Sequence, residues 1–245
     1  MVKKERKVSK ENRQLIDNYL NMLYGDNKSD NTITNYRIDL EIFVDYMESK
    51  DLPILEATLE QLDGYKAWLR NAINSRGQHN SERTRARRIS SLKAFYEYLC
   101  DRDYIIKDPA RKLTIPKIES GQEPAYITLE EAQKLIKMTE GETHELRDKI
   151  ILSLFLTTGM RLSELSGLNI NSLEGTTLTI EKGKGNKTRK VNISSDLVTM
   201  IEEYLASRDF KGEALFISQK DNRMSNSVIQ WTVEKYLAKA GFLTS

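Results

Sequence analysis

An arginine placed just past a glycine turn is one candidate for chemistry in this chain of 245 residues. The stretch Thr157-Thr158-Gly159-Met160-Arg161-Leu162-Ser163-Glu164-Leu165 follows a long apolar run, and Arg161 comes two residues after the glycine. A cation placed there, across a glycine turn from a buried helix, does not swing freely in solvent. Glu164 lies one helical turn further on and is spaced to hold it. The same spacing also suits a buried structural Arg–Glu pair, and the residues alone leave both readings open. A second candidate is the cluster Lys182, Lys184, Lys187, Arg189 and Lys190 around Gly183 and Gly185. A lysine on a glycine-flanked turn can reach a bound phosphate; equally, lysines on a hairpin discourage edge-to-edge pairing. The third is a concentration of charge. Between Lys66 and Lys117, thirteen basic residues stand against five acidic ones, so this segment carries +8 in a chain whose total is +2. Unrolled as a helix, Ser81 to Asp101 sets Arg83, Arg87, Ser90, Ser91 and Ala94 opposite its apolar residues. Small residues let a backbone approach closely and arginines suit phosphates; a merely solvated face has the same pattern.

Helical elements must position these groups. Apolar residues recur on one face in Leu15–Leu23, in Thr32–Met47 (Tyr36, Leu40, Phe43, Val44, Met47), in Leu62–Ile73 and in Ser81–Asp101 (Ile89, Leu92, Tyr96, Leu99). The spacing predicts four amphipathic helices around a common core. Asp108-Pro109, Ile115-Pro116 and Ser120-Gly121-Gln122-Glu123-Pro124 then break the helical pattern, because a residue before proline avoids the helical region. The expected division is a helical domain over 8–105, a linker over 106–125 and a second domain over 126–245.

The second domain opens on Thr128 and Glu131, the spacing of a capping box. Leu146–Thr158 is apolar nearly all round and reads as a buried helix ended by Gly159. Alternation at Leu178 and Ile180, and again at Val191 and Ile193, predicts a hairpin with the basic turn between its strands. Ser194 or Ser195 caps a further helix, Leu215-Phe216-Ile217 reads as a short strand, and Ser225 caps a last helix that Gly241 ends. The fold class expected is mainly α in two domains, an all-α first and an α+β second with a small antiparallel sheet.

Several chemistries are excluded. One cysteine, Cys100, permits neither an intrachain disulfide nor a cysteine-based zinc site, and the histidines, His79 and His144, stand far apart. No metal or cofactor is expected. Gly183-Lys184-Gly185 lies between strands and lacks the Gly-Lys-Ser/Thr of a nucleotide-binding loop. The apolar run Ile150–Leu156 is far short of the ~20 residues that span a bilayer, and the basic amino terminus has no apolar signal core after it. No membrane association is expected, and the single cysteine fits a reducing cytoplasm.

Together these motifs resemble those of the tyrosine recombinases, the phage integrase family. Thr157 to Leu168 is similar to the family's first-arginine box, and Gly183-Lys184-Gly185-Asn186-Lys187-Thr188-Arg189 to its β-hairpin lysine motif. In the first domain Asn31-Thr32 to Tyr36, Asp39-Leu40, Phe43 and Tyr46, then Arg88 to Tyr96 and Asp108-Pro109-Ala110, resemble the SAM-like core-binding module. The resemblance implies strand breaking and rejoining on duplex DNA through a 3′-phosphotyrosyl link, without metal or nucleotide, and self-association on paired sites. It implies that Arg161 binds the scissile phosphate, that Glu164 supports it, and that Lys184 is the general acid, with Lys182 and Lys187 the alternatives. It also implies DNA contacts from Arg83, Arg87, Arg88, Ser90, Ser91, Lys93, Lys182, Lys187 and Arg189, and a clamp of the two domains around the duplex.

The family continues with a His-x-x-Arg box and a nucleophilic tyrosine. Here His144 has Arg147 three places on, but that pair precedes Arg161, and none of the eleven tyrosines stands in the nucleophile's context. The expectation is a recombinase chain cut before its second catalytic cluster and inactive as it stands. The alternatives are a non-catalytic DNA-binding protein, able to act as a dominant-negative partner, and a helical interaction module.

Overall fold

The computed structural model describes residues 8–73, 77–118, 126–181, 188–210 and 212–242. It is mainly helical and divides into two compact units, Met1–Glu123 and Pro124–Ser245.

The first unit holds α1 (Lys10–Gly25), α2 (Asp30–Glu48), α3 (Leu59–Asn71) and α4 (Glu82–Asp101). Each helix begins where a hydroxyl side chain accepts a first-turn N–H: Ser9, Ser29, Thr58 and Ser81. Such caps satisfy donors that a helix end otherwise leaves orphaned. The expected apolar stripes meet in one core, with Leu20, Leu40, Phe43, Met47, Leu62, Tyr65, Ile89, Leu92 and Tyr96 buried.

The start of the expected 106–125 linker is part of this core instead. Ala110 and Leu113 are buried in it. Asp108 Oδ1 accepts from the Ala110 N–H at 2.7 Å. The Lys93 ammonium donates to the carbonyls of Ala110, Arg111 and Leu113 at 2.8, 3.0 and 2.8 Å. Proline signals backbone that is not helical; it says nothing of whether that backbone is buried.

The second unit holds α5 (Leu129–Lys137), α6 (Glu145–Thr158), the short α7 (Leu162–Ser166), α8 (Ser195–Ala206) and α9 (Asn226–Lys239). Its three-stranded antiparallel sheet has the order β1 (Leu173–Glu174), β2 (Thr177–Ile180), β3 (Arg189–Asn192). Ile150, Ile151 and Leu154 of α6 are buried in its core with Leu178 and Ile180 of β2. Thr128 and Glu131 close the capping box of α5.

Gly159 ends α6 at φ 59°, and its N–H donates to Phe155 O at 3.1 Å. That left-handed conformation is what glycine permits without strain, and it turns the chain so that Arg161 opens α7. Leu215-Phe216-Ile217 is buried but is not the strand expected. Leu215 N–H bonds Leu168 O while Phe216 O accepts from Met224, so its backbone groups go to different segments rather than along one ladder. Among the described residues, no helix is long and apolar enough to cross a membrane.

Candidate phosphate site and nucleic-acid interface

Glu164 organises the candidate site of the second unit. Its side chain is 2% exposed. Oε1 accepts from Arg161 Nη1 at 2.8 Å, and Oε2 accepts from the Arg161 backbone N–H at 2.8 Å and from Arg189 Nη2 at 2.7 Å. The two arginine side chains remain 61% and 42% exposed. One buried carboxylate therefore anchors two outward guanidiniums, and the cluster keeps a net positive charge. The pair is buried at its acidic end and open at its basic end.

Burial alone would raise the Glu164 pKa, but the hydrogen bonds from the Arg161 backbone, Arg189 and the Arg161 side chain outweigh it. The carboxyl is held at about 2, against an ordinary value of 4.5. Because the folded pKa is depressed, the stabilisation is fully present above 4.5 and is lost as pH falls towards 2. Glu164→Gln is expected to destabilise the second unit by about 1.5–3 kcal/mol, the worth of hydrogen bonds to a charged group. Its urea-unfolding stability should change less than the wild type's between those pH values. An unchanged pH profile would mean that Glu164 carries no linked proton.

The register of the hairpin brings Arg189 here, opposite Ile180 across β2 and β3. Sequence reasoning counted Arg189 among the hairpin cations but missed its link to Glu164, because a separation of 25 residues has no local signature. Lys182, Lys184 and Lys187 lie outside the described residues.

The outer face of α4 is more selective than its helical wheel. Arg83 and Ser90 are exposed as expected. Ser91 is not available to a partner: it is buried and donates to Asp39 Oδ2 at 2.9 Å, because α2 covers that side of the helix. Arg88 is turned inward, its side chain 11% exposed. Its Nη1 donates to Asn80 Oδ1 at 3.0 Å, and Asn80 in turn donates to Leu69 O and Ala72 O at the end of α3. Lys93 is engaged by the three carbonyls of Ala110, Arg111 and Leu113 and serves the fold. Arg87 is half-exposed at 40%, with Nη1 bonded to Asp39 Oδ2 at 2.5 Å. Burial raises the Asp39 pKa, and the opposing pull of Arg87, Ser91 and Arg88 does not fully cancel it.

The His144–Arg147 spacing does not form a catalytic pair. Arg147 is buried, donating Nε to Asp148 Oδ1 at 2.8 Å and Nη1 to Ile217 O at 3.2 Å. Tyr236, the last tyrosine, is fully buried with its hydroxyl donated to Asp148 Oδ2 at 2.8 Å. Burial, and then the Asp148 carboxylate, push its pKa upward. Among the described residues, no group of three or more His, Cys, Asp or Glu is placed to hold a metal ion.

Comparison with known proteins agrees on the family. The profile of the phage integrase family matches residues 125–244, and that of the phage integrase N-terminal SAM-like domain matches residues 16–103. Tyrosine recombinase XerC of Caldanaerobacter subterraneus is 34% identical over 234 residues, covering 87% of this chain and 65% of the relative. Tyrosine recombinase XerD of Shewanella oneidensis is 30% identical over 242 residues, covering 94% of this chain and 77% of the relative. The chain thus spans about two thirds to three quarters of their length. The fold is similar to that of a lambda integrase fragment whose dimer is bound to a COC′ core site, with a TM-score of 0.70, 14% identity, and coverage of 95% of this chain and 82% of that one. With both profiles matched in order and relatives this similar along most of its length, the chain belongs to the tyrosine recombinases of the phage integrase family.

Proposed function

We propose that the chain is the duplex-binding part of a site-specific recombinase and carries its first catalytic arginine. The observation that supports this most is the buried Glu164 carboxylate holding the Arg161 and Arg189 guanidiniums outward. Arg161 binds the scissile phosphate and neutralises charge that develops on its oxygens. The tyrosine oxygen attacks phosphorus, the bond from phosphorus to the 5′ oxygen breaks, and that oxygen takes a proton from Lys184. Glu164 is the positioning residue for Arg161. Arg189, Lys182 and Lys187 contribute further phosphate contacts.

The first unit, over 8–105 with the packed segment up to Leu113, binds the duplex through Arg83, Arg87 and Ser90 of α4; the second, from 126, binds around Arg161. The protein works in the cytoplasm and self-associates on paired DNA sites. Phosphate contacts release counterions, so binding weakens as salt rises.

Replacing both Arg83 and Arg87 with alanine is therefore expected to weaken duplex binding and to flatten the log–log salt slope by about 1.8 units, at ~0.9 per lost contact. Fluorescence anisotropy with a labelled duplex across a salt series reads both. An unchanged slope would make the α4 face merely solvated. The Tyr236 hydroxyl is committed to Asp148 and stands away from solvent, so the last tyrosine of these 245 residues is not placed to attack a phosphate. They should form no covalent adduct with DNA; an adduct would show that one of their own tyrosines is the nucleophile.

A further inference from the structure

The residue that the helical wheel of α4 never touched is Asp39, on α2. Its side chain is fully buried, yet it faces two arginines and a serine of α4. Oδ2 accepts from Arg87 Nη1 and from Ser91 Oγ, and Oδ1 lies 3.6 Å from Arg88 Nε. The two neighbouring arginines are treated differently. Arg88 is drawn inward and donates to Asn80, which in turn donates to the end of α3. Arg87 is held by one edge: Nη1 bonds Asp39 and the Asn35 carbonyl at 3.4 Å, and the side chain stays 40% exposed. Among the described residues, Nε and Nη2 of Arg87 have no further hydrogen-bond partner, so that edge of the fork remains for something else.

A carboxylate buried against a half-exposed arginine is a poor device for stability, since the desolvation of the buried charge offsets much of the attraction. Its use is to fix a geometry. A guanidinium pinned by one nitrogen has lost much of its rotamer freedom before a ligand arrives, and the cost of ordering it on binding falls accordingly.

We propose that Asp39 is a positioning residue for duplex DNA, anchoring one edge of the Arg87 guanidinium inside the first unit so that the other edge meets a backbone phosphate. This rests on the duplex-binding reading of α4. It makes a prediction opposite in sign to simple electrostatics. If Asp39 only neutralises Arg87, then Asp39→Asn adds a net positive charge beside the DNA and binding strengthens. If Asp39 positions Arg87, Asp39→Asn loses the anchored contact and binding weakens.

The experiment compares the 245-residue chain with Asp39→Asn, Arg87→Gln, Arg87→Lys and the Asp39→Asn/Arg87→Gln pair. Each binds a fluorescein-labelled mixed-sequence duplex across a salt series, with folding followed by circular dichroism. Asp39→Asn is expected to weaken binding roughly tenfold and to flatten the salt slope by about 0.9 units, one phosphate contact. The double variant should bind no more weakly than Arg87→Gln, because the pair acts as one unit. Arg87→Lys guards against an Asp39→Asn chain that does not fold. It keeps the charge on a half-exposed side chain but lacks the fork, and should lose nearly as much affinity as Arg87→Gln.

Asp39→Asn binding as tightly as wild type or tighter, or Arg87→Lys matching wild type, while Arg87→Gln weakens binding, overturns the positioning role and leaves the duplex-binding face standing. An unchanged salt slope in Arg87→Gln removes Arg87 from the interface and overturns both.

Discussion

Arg161→Ala is expected to lower the rate of strand cleavage by ~10²–10³ while leaving duplex binding nearly unchanged. The setting is a cleavage-competent protein that carries this chain together with a His-x-x-Arg box and the nucleophilic tyrosine. A positioned donor at a centre where charge develops contributes ~3–4 kcal/mol to the transition state. Binding is spread over many cations, so one lost contact costs little affinity. The geometry sharpens the expectation. Arg161 is 61% exposed, so its loss leaves no cavity, and Glu164 keeps its bond from Arg189, so the site does not collapse. Single-turnover adduct formation and duplex anisotropy, measured on the same preparation, separate the two effects. A parallel loss of binding and cleavage would make Arg161 one ordinary contact among many.

Lys184→Ala is expected to slow cleavage by ~10²–10⁴, the usual contribution of a general acid. The proton matters because the 5′ oxygen is a poor leaving group as an alkoxide. A substrate with sulfur at that position leaves readily as a thiolate and needs little protonation. It should restore the rate of Lys184→Ala but not that of Arg161→Ala, whose defect lies in charge on the phosphate and not in the leaving group. If the sulfur substrate rescues neither variant, the acid role passes from Lys184 to Lys182 or Lys187, and the same substrate tests each. If it rescues both, the assignment of Arg161 to the phosphate fails.

The legibility of the molecule differed by the range of the interaction involved. Helix starts were legible where a local cap was read: Ser81 and Ser225 each accept an N–H three residues on, and Thr128 closes a capping box with Glu131. Ser9, Ser29 and Thr58 cap their helices in the same local way, but the apolar periodicity by itself did not mark them. A hydroxyl beside an apolar periodicity is enough to read such a start, because the donor it satisfies lies within one turn. The left-handed end of α6 was legible at Gly159 for the same reason. So was the Arg161–Glu164 pair, which closes within one turn of α7.

What no window of the sequence contains is burial and partnership across elements. Ser91 sits on the face that the wheel assigns to solvent, yet α2 covers it, and a wheel knows only its own helix. Lys93 reads as a free cation until the chain returns from Asp108 and lays three carbonyls against it. The segment after α4 reads as linker from its prolines, although Ala110 and Leu113 are core. Arg189 joins Glu164 only through the pairing of β2 with β3, and Asp39 meets Arg87 only because α2 packs on α4. The sequence by itself therefore determined the helices, the ends that carry a local cap and the family-bearing motifs, since those depend on contacts within a turn or a hairpin; it misplaced Leu215-Phe216-Ile217 as a strand, because strand pairing depends on distant partners. Tertiary structure alone decided which cations face outward, because a charge is committed or left free by groups that approach from elsewhere in the chain, and linear spacing carries no record of that approach.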